Sequence, residues 1–85
     1  MDPLWTHTAE NDFRALKPRP LEFHQVNETL LLAASGNLKG VPIRWARFFF
    51  FKSDCLLIES GRFAIVYSLK DNRISVLAVR LAEDV

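Results

Sequence analysis

The chain has little of what several protein classes require. Its single cysteine, Cys55, excludes an internal disulfide and fits a reducing compartment. Unbroken apolar runs such as Phe48–Phe51 are far too short to cross a bilayer as a helix. At the N-terminus, Met1 to His7 shows no basic region followed by an apolar stretch, so no signal peptide is read there. Neither sign of charge dominates. Eleven Lys and Arg against ten Asp and Glu give +1, which does not by itself advertise nucleic-acid binding. Histidine is scarce: His7 and His24 lie at no metal-ligand spacing from a cysteine or a carboxylate pair, so both read as surface or capping residues. No metal or cofactor is implied. What remains is an 85-residue chain, 49% hydrophobic, enough for one domain over residues 1–85 with one small core.

The strongest local signal lies between Arg62 and Leu81. Two runs rich in β-branched and aromatic residues, Arg62–Leu69 and Ile74–Leu81, flank Lys70-Asp71-Asn72-Arg73. Asp71-Asn72 suits the left-handed backbone of a two-residue hairpin turn. Alternation puts Phe63, Ile65, Tyr67 and Leu69 on one face and Ala64 and Val66 on the other. In the second run Val76 and Ala78 are expected to share a face, with Leu77 and Val79 behind them. Apolar residues on both faces predict strands near the middle of a sheet, covered on both sides.

Upstream, Leu4 to His7 reads as a short strand. A helix is expected from a Thr8 cap, with Ala9, Phe13 and Leu16 as its apolar stripe, stopping before Pro18. A second helix starts at Pro20, with Phe23, Val26, Leu30 and Ala33 on one face, and ends at Gly36. The short connector predicts an antiparallel helix pair. Ile43–Lys52 reads mostly as strand, Ser53-Asp54 as a turn, and Cys55–Glu59 as a further strand turning at Ser60-Gly61. The Phe48–Phe51 rings read as part of the core or as a surface that a partner covers. The predicted fold is α+β: two antiparallel helices on a small, mainly antiparallel twisted sheet. Its core should centre on Phe13, Leu16, Val26, Leu30, Ile65, Tyr67, Val76 and Ala78.

Three stretches together resemble the RelE/ParE superfamily, the toxins of bacterial type II toxin–antitoxin pairs. They are Trp5–Pro18, similar to the family's strand-to-helix opening; Leu38-Lys39-Gly40 after the second helix; and Gly61–Leu69 with Ile74–Arg80, similar to the family's closing hairpin. The resemblance implies a cytoplasmic toxin with a cognate antitoxin protein as partner. It would inhibit translation by cleaving mRNA at the ribosome, as a RelE-like endoribonuclease of weakened or altered active site; the alternative is a ParE-like toxin that binds DNA gyrase without being an enzyme, or a degenerate member that only binds its antitoxin.

The departures bear on that choice. Ala64 stands where RNA-cutting members carry an arginine, and Leu81 falls near another position that is usually basic. Arg62, expected on the face of Ala64, is the substitute, and Arg80 is expected roughly opposite it. As a pair they would clamp an RNA phosphate, with Lys39, Arg44, Arg47 and Lys52 as further RNA-binding groups. The plainer reading makes Arg62 and Arg80 solvated charges at the sheet edge, or partners of Glu59 and Glu83. RNA cleavage also needs a proton acceptor or donor near neutral pH, and the sequence offers no convincing one. Cys55 reads as a small buried hydrophobe rather than a nucleophile.

Overall fold

The computed structural model describes residues 3–42 and 55–84. The strand expected over Ile43–Lys52, with Arg44, Arg47, Lys52 and the Phe48–Phe51 run, lies outside them, as does the Ser53-Asp54 turn.

The chain opens with a two-residue strand, β1 (Leu4–Trp5), followed by α1 (His7–Ala15). The cap of α1 is Thr6, not Thr8. The Thr6 hydroxyl accepts the Ala9 N–H at 3.2 Å and donates to the Val76 carbonyl at 2.9 Å. Thr8, two residues later and already inside the helix, lacks that second partner in the sheet, and the tertiary bond decides between two residues of equal capping power. The helix stops ahead of Pro18, and Lys17 takes a left-handed φ of 51°. Helix α2 (Pro20–Ala34) begins at the expected proline. At its start the Arg19 N–H donates to the Glu22 carboxylate at 2.8 Å, satisfying one of the amides a helix start leaves open. Gly36, at φ 84°, ends it: its N–H reaches the Ala33 carbonyl, and that of Asn37 reaches Leu32.

Four more strands complete one sheet: β2 (Val41–Pro42), β3 (Cys55–Ser60), β4 (Phe63–Lys70) and β5 (Arg73–Leu81). A turn of 3₁₀-helix, Ala82–Asp84, follows β5. The strand order is β1-β5-β4-β3-β2. The sheet is mixed, because β1 runs parallel to β5 while the other three pairings are antiparallel. The β4–β5 hairpin turns through Asp71 and Asn72 at φ 54° and 62°, as the sequence predicts.

Both helices pack on one face of the sheet. Ala9 and Phe13 from α1 and Val26, Leu30 and Ala33 from α2 meet Ile58, Phe63, Ile65, Tyr67, Ile74, Val76 and Val79. Each buried Val, Leu, Ile or Phe among them contributes on the order of 1.5–3 kcal/mol, and each alanine methyl about 0.8. Leu16 is only partly buried, and Phe23 is half exposed. The opposite face is buried as well, around Cys55, Leu57, Ala64, Val66 and Ala78. The expectation that Val76 and Ala78 share a face fails at a β-bulge: Tyr67 pairs with Val76 but Val66 pairs with Ala78, so Leu77 is an extra residue. The bulge resets the alternation, sending Val79 to the helix side and Ala78 to the other.

Candidate functional site

Arg62 sits just before β4, in the turn after Gly61, so strand alternation does not govern where its side chain goes. It reaches the helix side of the sheet. Its Nε donates to the Glu22 carboxylate at 2.7 Å, and one of its terminal nitrogens donates to the other Glu22 oxygen at 3.1 Å and to the Leu16 carbonyl at 3.2 Å. The guanidinium also lies over the Phe63 ring, 4.6 Å from its centre. The fork pulls the Glu22 carboxyl down from 4.5 to about 2, through the Arg62 hydrogen bond first and the Arg19 N–H second. Glu22 in turn raises the pKa of Arg62. Ala64 is almost wholly buried on the opposite face, so Arg62 and Ala64 do not share a face and the arginine does not stand in for a side chain at position 64.

Arg80 pairs across the sheet with Ala64, while Arg62 lies beside Ala82, whose N–H donates to the Arg62 carbonyl at 2.8 Å. The two arginines are therefore offset along the hairpin, since the bulge shifts the register set by the two-residue turn. Arg80 donates to Asp12 of α1 at 2.6 Å, and the same carboxylate oxygen accepts the Val79 N–H at 3.3 Å. That N–H points off the edge of β5 beyond the end of β1, where Asp12 takes the place of a neighbouring strand's carbonyl. The ion-pair reading of these arginines thus holds with different partners: Glu22 and Asp12 instead of Glu59 and Glu83. Lys39 is exposed beside β2, three strands from β5 or roughly 14 Å at the usual strand spacing.

Arg62 lines a cleft with Lys17, Arg19, Leu21 and Glu22. Three cations face one carboxylate there. Neither Lys17 nor Arg19 is within ion-pair distance of a carboxylate among the described residues. A second, larger cleft of about 720 Å³ opens between α1 and the first turns of α2. Its wall is aromatic: Trp5 stacks on Phe13 with ring centres 5.4 Å apart, and Phe23 meets Phe13 edge-on at 5.0 Å. His24 and Asn27 stand at its rim beside the Arg14–Glu10 ion pair of 2.6 Å. Neither cleft is read from the sequence. Trp5, Phe13 and Phe23 follow no common period, and it is the short connector between the helices that assembles them.

His7 and His24 are both exposed, as expected, and Cys55 is buried. Among the described residues no group of His, Cys, Asp and Glu could hold a metal ion. No described helix is long and apolar enough to cross a membrane. Compared with protein-family models and with curated proteins, the chain matches none.

Proposed function

We propose that this chain is a RelE/ParE-like toxin that acts by occupying its target rather than by cutting RNA. The carrying observation is the state of Arg62 and Arg80. Each is already held by a carboxylate from a helix, so a phosphate would have to displace Glu22 or Asp12 before it could be clamped. A β-α-α opening followed by strands on a mainly antiparallel sheet also suits the resemblance. On this reading the target is DNA gyrase, the location is cytoplasmic, and an antitoxin protein covers exposed apolar residues such as Leu21, Leu31, Leu32 and Val41.

The second reading, ribosome-dependent mRNA cleavage by a weakened active site, draws support from the cationic cleft, where Arg62 stays 46% exposed beside Lys17 and Arg19. Primer extension on mRNA bound to ribosomes, run beside a gyrase supercoiling assay with the same purified protein, separates the two. The binding reading expects inhibited supercoiling and intact mRNA. New mRNA ends at the ribosome would replace it with the nuclease. Neither effect, in a protein that captures the product of a neighbouring gene, would leave only antitoxin binding.

A further inference from the structure

We propose that the chain forms a weak, closed dimer in which the acidic turn after β5 of each copy meets the cationic cleft of the other. The inference does not rest on the toxin reading. The cleft sets Lys17, Arg19 and Arg62 against Glu22 alone, an excess of two positive charges. Glu83 and Asp84, in the 3₁₀ turn after β5, supply two negative ones. Both acids are exposed, and neither is in an ion pair among the described residues. Lys17 and Arg19 are exposed and unpaired in the same way. One copy therefore carries two patches of equal and opposite charge, and no ion pair joins them within that copy. A second copy offers each patch its complement.

Both patches adjoin Arg62. Its carbonyl accepts the Ala82 N–H at 2.8 Å, which pins the start of the acidic turn. Its guanidinium reaches the Leu16 carbonyl at 3.2 Å and Glu22 at 2.7 Å, at the wall of the cleft. A two-fold axis passing close to Arg62 sets each turn against the other copy's cleft, so the same contact is made twice and the pair closes. The cations are held in place before they meet a partner. Pro18 and Pro20 fix φ on either side of Arg19, and Lys17 keeps its left-handed φ of 51°. Little backbone order is then lost on association. Leu21 lines the same cleft at 68% exposure and adds an apolar contact. Exposed ion pairs contribute only about 0.2–1 kcal/mol each, so the dimer is weak and sensitive to salt.

The test is analytical ultracentrifugation of the full chain from about 10 μM to about 1 mM, in low salt and in about 0.5 M sodium chloride. A monomer–dimer equilibrium is expected, with a dissociation constant roughly 10-fold or more higher in the high salt. Lys17→Glu with Arg19→Glu should abolish the dimer, and so should Glu83→Lys with Asp84→Lys. Each of these variants carries two patches of one sign. Mixed in equal amounts, the two variants should form a heterodimer about as stable as the unsubstituted dimer, since every turn again meets a cleft of opposite charge. That rescue separates a lost contact from a lost fold, which mixing does not repair. A monomer at every concentration, a dimer indifferent to both sets of substitutions, assembly beyond a dimer, or variants that stay monomeric when mixed would each overturn the proposal. So would a monomer that binds a short glutamate-rich peptide or single-stranded RNA through Lys17 and Arg19, which would give the cleft to another protein or to nucleic acid.

Discussion

The Tyr67 hydroxyl accepts the Gly40 backbone N–H at 3.0 Å, inside the protein and across 27 residues of sequence. The bond ties the loop after α2 to the middle of β4. Tyr67→Phe leaves that amide buried without its acceptor and should cost about 1–3 kcal/mol in urea unfolding. Gly40→Ala should cost about as much for a different reason. A Cβ there would sit 2.6 Å from the Tyr67 hydroxyl and 2.8 Å from the Leu57 carbonyl. Because one clash is with the hydroxyl itself, the double variant should lose less than the two single losses together. Strict additivity would count against the close approach.

The Glu22 carboxyl supplies a pH dependence. Its folded pKa is about 2 against 4.5 for the free group, a depression. A depressed acid stabilises the fold fully above its unfolded pKa, and that contribution is lost as pH falls toward the folded one. Melting temperature should therefore fall as pH drops from about 4.5 to about 2, and Glu22→Gln should flatten that part of the curve. The same slope in both proteins would mean that the fork with Arg62 is not its source.

Asp12 serves two groups with one oxygen, the Arg80 guanidinium and the Val79 N–H. Asp12→Ala should speed hydrogen exchange at Val79 and destabilise by about 1–2 kcal/mol, reduced by the pair's partial exposure. Arg80→Ala should cost less, because Val79 keeps its acceptor. Unaltered exchange at Val79 in the aspartate variant would sink this account.

Ala64→Arg would restore the arginine that the family resemblance expects. Ala64 is 1% exposed and packed against Cys55, Leu57, Val66 and Ala78. An arginine there overfills a packed layer, at a cost of about 1–3 kcal/mol from a domain whose whole stability is of the order of 5–15, while Glu59, its exposed neighbour across β3, offers the guanidinium a partner. The variant should melt lower by circular dichroism. An unchanged melting temperature would show that this face has room the structure does not give it.

The hairpin was legible because alternation and turn chemistry are local: Phe63 to Leu81 and the Asp71-Asn72 turn need no information from elsewhere in the chain. Helix α2 was legible for the same reason, with Pro20 at its start and Gly36 at its end. The misplaced features depend on distant partners. Thr6 rather than Thr8 caps α1 because Val76 lies in reach. The bulge at Leu77 carries no glycine to announce it, yet it moves Ala78 across the sheet and sets Arg80 beside Ala64 instead of near Arg62. Arg62 finds Glu22 only once α2 has been laid over the hairpin. Sequence pattern identified the arginines as notable but could not name their partners, and the partners decide whether a phosphate can reach them.

The parallel ladder between β1 and β5 has a consequence for how the chain reaches its structure. Leu4 pairs with Ser75, and Thr6 bonds to Val76 70 residues further on. That strand and the cap of α1 gain their partners only when β5 is in place, so the long loop must close before those bonds repay its entropy. During synthesis the helices and the β3–β4 pair can form early, but β1 and the start of α1 stay unsecured until β5 has left the ribosome. Slowing the emergence of β5 should lengthen the time for which Trp5 is open to solvent and to proteases, while leaving the finished fold unchanged.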